Sequence, residues 1–295
     1  MLENMLTIGL FLFLFGLIIG SFLNVVVLRG ETDENIGGRS RCPRCRVQIA
    51  WHDNIPLLSF LFLRGQCRHC QGKISWQYPL VEFGTGAVFA VLGLAFLSMV
   101  TADEALYPVM LLTGDIVLGE AFLFLGLFLL LASLLIVILV SDLRTMTIPL
   151  VWLGGALIVA LVILVGRFFF PETLGMELPS WESMLLGGGV AAALFYALVF
   201  FSHETWMGMG DVWVAAVLGL TVGIEFLLFA LTLSFLLGAV VGLVLLGSGK
   251  KDLQSQIPFA PFLILAIFSA WLIQWLLPWW IEYFLLPSSW FRIFS

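Results

Sequence analysis

The stretch LGEAFLFLGLFLLLASLLIVILV, Leu118–Val140, decides the fold. Its one charged side chain is Glu120, and at 1.5 Å per residue a helix of this length crosses the roughly 30 Å of bilayer hydrocarbon. The run is continuous rather than alternating, which selects helix over strand, because backbone amides in lipid must be satisfied within their own segment. Seven further runs share its character: Met5–Leu28, Pro79–Val100, Ile148–Gly166, Met184–Phe201, Val212–Val222, Phe226–Leu246 and Phe262–Ile281. The shortest, Val212–Val222, is the weakest of the eight. Composition points the same way, since 61% apolar residues, 11% charged residues and a mean hydropathy of +1.11 do not belong to a water-soluble globule. The sequence therefore predicts an all-α polytopic membrane protein with about eight transmembrane helices. Its partner of first resort is the lipid bilayer, and nothing in it calls for a nucleic-acid partner.

The cations orient the chain. Of thirteen Lys and Arg residues, eight lie between Arg29 and Lys73. If that loop is cytoplasmic, Arg144, Lys250 and Lys251 also fall inside, and only Arg167 and Arg292 fall outside, which is the bias the positive-inside rule describes. The loops 101–117 and 167–183 are then external. No basic segment precedes the first apolar run, and the run is long for a signal-peptide core, so it is expected to stay as a transmembrane helix. Three parts follow: a first helix at 1–28, a cytoplasmic loop subdomain at 29–78, and a helical bundle at 79–295.

All four cysteines lie in the basic loop, as CPRC (Cys42, Cys45) and CRHC (Cys67, Cys70), with twenty-one residues between the pairs. Two such knuckles can arrange four thiolates tetrahedrally around one Zn²⁺, and a cytoplasmic location argues against disulfides. Reduced thiols or a redox pair are the alternative. His69 lies inside the second pair, but four cysteines already complete a tetrahedral site. Between the knuckles, NIPLLSFLFLRG (Asn54–Gly65) is too short to span and is expected at the interface or packed on the bundle.

Two carboxylates stand at the same predicted level of the bilayer. Asp142 ends the third long run in SDLRTMTIP, and Asp211 opens the sixth in GMGDVW. Both map to the cytoplasmic boundary, beside the helix breakers Pro149, Gly208 and Gly210, and charged groups at membrane depth are costly enough to mark function. Two carboxyls at close range share protons as a unit, so one can act as base on a water while the other acts as acid. The alternative is structural: Asp142 caps a helix or pairs with Arg144, and Asp211 is a helix N-cap.

Taken together, GSFLNVVVLR (Gly20–Arg29), the paired knuckles, YPLVEFGTG (Tyr78–Gly86), SDLRTMTIP, GMGDV and IPFAPFL (Ile257–Leu263) occur in the order seen in bacterial type IV prepilin peptidases, and the chain resembles that family over nearly its whole length. The family is similar to other intramembrane aspartyl proteases with a Gly-x-Gly-Asp motif, which Gly208–Asp211 reproduces. The resemblance implies that Asp142 and Asp211 are the catalytic pair. It implies an inner-membrane enzyme that removes the basic leader of a prepilin or pseudopilin at the cytoplasmic face, then methylates the new N-terminus using S-adenosylmethionine. No Gly-rich strand-to-helix turn offers that donor a site, and glycines such as Gly16, Gly20 and Gly187–Gly189 read more simply as helix packing contacts. Glu82, early in the second run, could orient a substrate amine, or could be a helix-start charge paired with a loop arginine. Trp213, Leu150 and Ala260 depart from the family pattern, which commonly has lysine, aspartate and glycine there.

Other signals are weaker. HETWM at His203 lacks a second ligand four residues on, and GSGKK lacks phosphate-loop spacing, so Lys250 and Lys251 read as positive-inside anchors. Glu225 is expected at an external turn. Trp271, Trp275, Trp279, Trp280 and Trp290 are expected to form an interfacial aromatic belt. A proton-coupled transporter and a zinc-knobbed assembly scaffold are the rival functions, although no internal repeat supports the former.

Overall fold

The computed structural model describes residues 2–32, 35, 37–102, 106–170, 178–248 and 257–276. Eight α-helices follow in order: α1 (Leu2–Glu31), α2 (Leu58–Phe62), α3 (Gln77–Ala102), α4 (Leu106–Thr145), α5 (Leu150–Phe169), α6 (Trp181–Ser202), α7 (Met209–Gly247) and α8 (Ala260–Leu276). Among the described residues no strand forms, and ladder pairing is limited to two isolated bridges, Arg41 with Gln48 and Gln66 with Lys73. Six helices are long and apolar enough to cross a membrane, and α8 is a shorter apolar helix. This is a multi-pass membrane protein.

The chain divides into two compact units, Met1–Leu94 and Ala95–Ser295. In the first, α1 meets α3 through glycines: a Cβ on Gly16 would stand 2.7 Å from the Gly86 Cα, and one on Gly20 would stand 2.8 Å from the Glu82 Cα. Only a hydrogen side chain permits that approach, which is how helices pack where lipid removes the hydrophobic drive between them. Asn24, buried at the same crossing, donates to the Tyr78 and Gly20 carbonyls at 3.2 and 3.3 Å and accepts from Gln77 Nε2 at 3.3 Å. The predicted packing role of Gly16 and Gly20 therefore holds. The segment NIPLLSFLFLRG does not span; it forms a short turn of helix, α2, whose Leu58, Leu61 and Phe62 are exposed.

The second unit carries a reversal that helix length alone conceals. Straight, α7 would run roughly 58 Å, about twice the hydrocarbon thickness. It is broken at Gly223, whose φ of 77° and ψ of 170° suit glycine and strain any other residue. The neighbours show that direction changes there. Gly187 of α6 lies against Gly219 and Gly223, while eight residues further along α6 Phe195 stacks on Phe235 at 6.1 Å, and Met209 shares a cavity with Phe200. The arm 209–222 thus runs antiparallel to α6, and the arm from 224 returns beside it. With α1, α3, α4, α5, α6 and α8, the two arms make eight rods, one in each of the eight predicted runs. Glu225, expected at a turn, is exposed just beyond the reversal and accepts from Ser183 Oγ, which also receives the Ile224 amide at 3.1 Å.

Three expectations change. The loop expected at 101–117 is helix over most of its length, because α4 begins at Leu106. Trp271 and Trp275 are not an interfacial belt: they are 0% and 1% exposed, with Phe128 at 5.1 and 5.0 Å from them and Phe96 at 5.3 Å from Trp275. Their spacing of four residues puts both on the inward stripe of α8, and edge-to-face aromatic packing outweighs a wet seat for the indole. Arg167 does not sit in a loop. It is buried in the last turn of α5 and donates to the Leu178 and Pro179 carbonyls at 3.1 and 3.4 Å. Lys250, Lys251, Trp279, Trp280, Trp290 and Arg292 lie outside the described residues.

Candidate functional site

The four cysteines come together within the first unit. Their sulfurs all lie within 4.8 Å of one another, with Cys42 and Cys70 at 3.9 Å, close to the edge of a tetrahedron of thiolates about 2.3 Å from a central ion. Two matching turns build the cluster. The Cys42 amide donates to Val47 and the Arg46 amide to Cys42; the Cys67 amide donates to Gly72 and the Gln71 amide to Cys67. Arg46 and Gln71 both take a left-handed φ, 59° and 53°, so each turn closes the same way. His69 is not among the clustered groups. The Cys70 and His69 amides hold the Cys67 thiol down to about 7. Cys45, whose thiolate the Val47 amide favours, is nonetheless pushed up to about 11 by burial and by the other three thiols. Mutual opposition of this kind is what a divalent cation relieves. The Arg68 guanidinium, between the second pair of cysteines, grips Asp53 with two hydrogen bonds of 2.7 and 2.6 Å and holds that carboxyl below the usual range.

Glu82 lies in the first unit as well. It is buried in α3, and its carboxylate accepts the Leu57 amide at 2.8 Å, at a residue whose φ is 59°. The turn before α2 is thus tied to a membrane-spanning helix.

In the second unit, Asp142 is 5% exposed near the end of α4, and Asp211 is 9% exposed in the first turn of α7. The two carboxylates are close enough to interact electrostatically. Asp211 Oδ2 accepts the Gly208 amide at 3.2 Å, and the Ala260 amide lies near the Asp142 carboxylate. Asp211 is thus not the N-cap that one expectation made it: Gly208 is the N-cap, and Asp211 takes its amide from the third helical position. Gly210 packs against Ile148, its Cβ position lying 2.8 Å from Ile148 Cδ1, which draws GMGD onto TIP. Gly208 is different. A Cβ there would have no neighbour nearer than 4.0 Å, so packing does not demand glycine, and the space beside Asp211 stays open to an approaching backbone.

The Ala260 amide, at the first turn of α8, is the functional group that sequence reading missed. A helix N-terminus directed at a carboxylate stabilises its negative charge, and the flanking Pro258 and Pro261 in IPFAPF were the available sign that a helix begins there. Two neighbouring buried carboxyls can divide the tasks of base and acid on one water molecule.

Comparison with known proteins identifies the family of the chain. Residues 14–96 match the model of the bacterial peptidase A24 N-terminal domain, and residues 129–243 match that of the type IV leader peptidase family. A prepilin leader peptidase/N-methyltransferase of Bacillus subtilis (strain 168) is 32% identical over 251 residues, covering 85% of this chain and 88% of the relative. One of the same name from Myxococcus xanthus (strain DK1622) is 35% identical over 84% of this chain and 66% of its own length. That of Aeromonas salmonicida (strain A449) is 32% identical over 86% and 87%. No solved structure matches the chain.

Proposed function

The chain belongs to the type IV leader peptidase family, and from that premise we propose that Asp142 and Asp211 cut a prepilin or pseudopilin at the cytoplasmic boundary of the inner membrane. The observation that carries this reading is the burial of two carboxylates far apart in sequence on segments that Gly210 and Ile148 pack together, with the charge of Asp211 acting on Asp142. One carboxylate takes a proton from water as the water oxygen bonds to the scissile carbonyl carbon. The other, protonated, first hydrogen-bonds to the carbonyl oxygen and then supplies the proton that leaves with the amine when the C–N bond breaks. The Gly208 and Ala260 amides keep each acid in place, and Gly208 leaves room for the substrate strand. The positive-inside bias, with Arg29 and Arg144 in the last turns of α1 and α4, supports cytoplasmic exposure of this boundary.

The four cysteines fit a structural Zn²⁺, which when bound would cross-link the two knuckles without entering the reaction. S-adenosylmethionine would donate the methyl group in the second activity that the relatives' name carries. The cavity of about 210 Å³ lined by Tyr196, Phe200 and Met209 is too small for its adenosine and methionine portions together. The test is cleavage of a prepilin-like peptide by the purified chain. Both Asp142→Asn and Asp211→Asn are expected to reduce kcat by at least about a thousandfold, as loss of half an acid–base pair does. Cleavage retained by either variant refutes the assignment, and a labelled methyl donor in the same assay reports the second step.

A further inference from the structure

The cavity at the junction of α6 and α7 has no part in the chemistry just described. It has a volume of about 210 Å³ and is lined by Tyr196, Val199, Phe200, His203, Glu204 and Met209. Met209 opens α7 and Asp211 stands in the same first turn, so the cavity lies at the end of that helix where the proposed cut is made. Its walls carry no Lys or Arg, and Glu204 is its one carboxylate. Tyr196 and Phe200, one helical turn apart, present rings 6.3 Å apart and inclined by only 26°. The turn that sets Glu204 is unusual: His203 and Glu204 both adopt left-handed φ values, 48° and 62°, which non-glycine residues rarely do in succession. It is held by the Glu204 amide on the Val199 carbonyl at 3.1 Å and by Thr205 Oγ1 on the Ser202 carbonyl at 2.6 Å. The helix is thereby stopped with both side chains lining the cavity instead of continuing along α6.

Aliphatic wall, aromatic faces and one carboxylate suit one kind of group: a cation on an apolar stem. The size suits a single side chain rather than a nucleoside. We propose that this cavity receives a lysine or arginine side chain from the substrate leader, with Glu204 as the residue that reads its charge. The proposal rests on the peptidase reading, and it makes Glu204 a specificity residue on the amino side of the cut. The stem lies on Val199 and Met209, and the cationic head meets Glu204 beside the rings of Tyr196 and Phe200.

Two readouts test it. In the first, kcat/KM is compared for peptides with a lysine or a glutamine leader. Glu204→Gln is expected to lower the lysine-to-glutamine ratio roughly five- to tenfold, mainly through KM, as expected from one partly exposed ion pair with a cation–π contact. Glu204→Lys should favour a glutamate leader over a lysine leader. In the second, the same two peptides are bound to the Asp211→Asn chain with and without Glu204→Gln, so the preference is read without cleavage. A binding preference for lysine that disappears with Glu204→Gln supports the pocket even if the native chain cuts neither peptide, an outcome that would remove the peptidase reading alone. An unchanged lysine-to-glutamine ratio in both readouts overturns the proposal and leaves the cavity to a lipid chain or an apolar substrate residue.

Discussion

A carboxylate at the edge of hydrocarbon persists where something meets its charge, and for Asp142 that partner is a backbone amide. The residue in question, Ala260, is itself fully buried, so its replacement tests the amide only where the fold is checked beside it. Proline at the first turn of a helix costs little, because that N–H has no intrahelical partner. Ala260→Pro is therefore expected to leave α8 folded, by circular dichroism and melting temperature, yet to lower kcat about 10- to 100-fold, the worth of one hydrogen bond to a charged group. Unchanged kcat would mean that the amide does not serve the acid. The contrast between Asp142 and Ala260 shows what the sequence reveals at this scale. Asp142 and Asp211 were legible because acids are rare in apolar runs, and topology placed both at one boundary. A backbone donor has no letter of its own, and only the prolines around Ala260 mark it. Glu204 was equally hidden, since neither its left-handed turn nor the cavity it lines leaves a periodic trace.

Helices in this molecule approach each other where glycine removes the side chain, and the consequences can be ranked. A Cβ on Gly219 would overlap the Gly187 carbonyl, backbone against backbone, whereas one on Gly189 would meet nothing within 4 Å. Gly219→Ala is expected to destabilise by about 1–3 kcal/mol, and Gly189→Ala to be neutral or slightly stabilising, when both are melted in the same detergent. Equal effects would show that α6 and α7 are not wedged together as described. The sequence pattern made the existence of these helices clear, because apolar runs of this length have few alternatives. It also separated the two arms of α7, although Val212–Val222 looked short; Gly223 and the packing of Gly187 on Gly219 explain how so short an arm can stand, buried against α6 rather than in lipid. In the knuckles the link is ionic. Arg68 holds the Asp53 carboxyl below its ordinary value, so the stability from this pair is complete above the unfolded value of about 3.9 and is lost as pH falls through the lower folded one. Asp53→Asn should thus cost under about 1 kcal/mol, the same at pH 7 as at pH 5, in denaturant-pulsed proteolysis of residues 37–76. A cost that faded between those two values would point to a different titrating group.

At the scale of the whole molecule, the helical bundle and the knuckle region are held together by different means. Residues 95–276 bury an aromatic and aliphatic core, with Trp271, Trp275, Phe96 and Phe128 among its largest side chains. Hydropathy identifies those residues as membrane-embedded without saying which face they take, so Trp271 and Trp275 read as interfacial when they are internal. The knuckle region has no such core. Trp51, Phe62 and Trp76 are 77%, 82% and 69% exposed, and between residues 37 and 76 Cys42 is the one buried apolar side chain. A segment that cannot bury apolar area has to be fixed by other bonds, and structural zinc supplies apparent binding energies of about 10–16 kcal/mol in small peptides. Cys70→Ser should consequently abolish bound zinc, measured by mass spectrometry of the purified chain against one equivalent in the native protein. The same change should open residues 37–76 to protease while the melting of the α4–α8 bundle stays within a few degrees, since no cysteine contributes to that core. A chain that keeps its knuckles protease-resistant without metal would show that the turns around Cys42 and Cys67 are stable by hydrogen bonds alone.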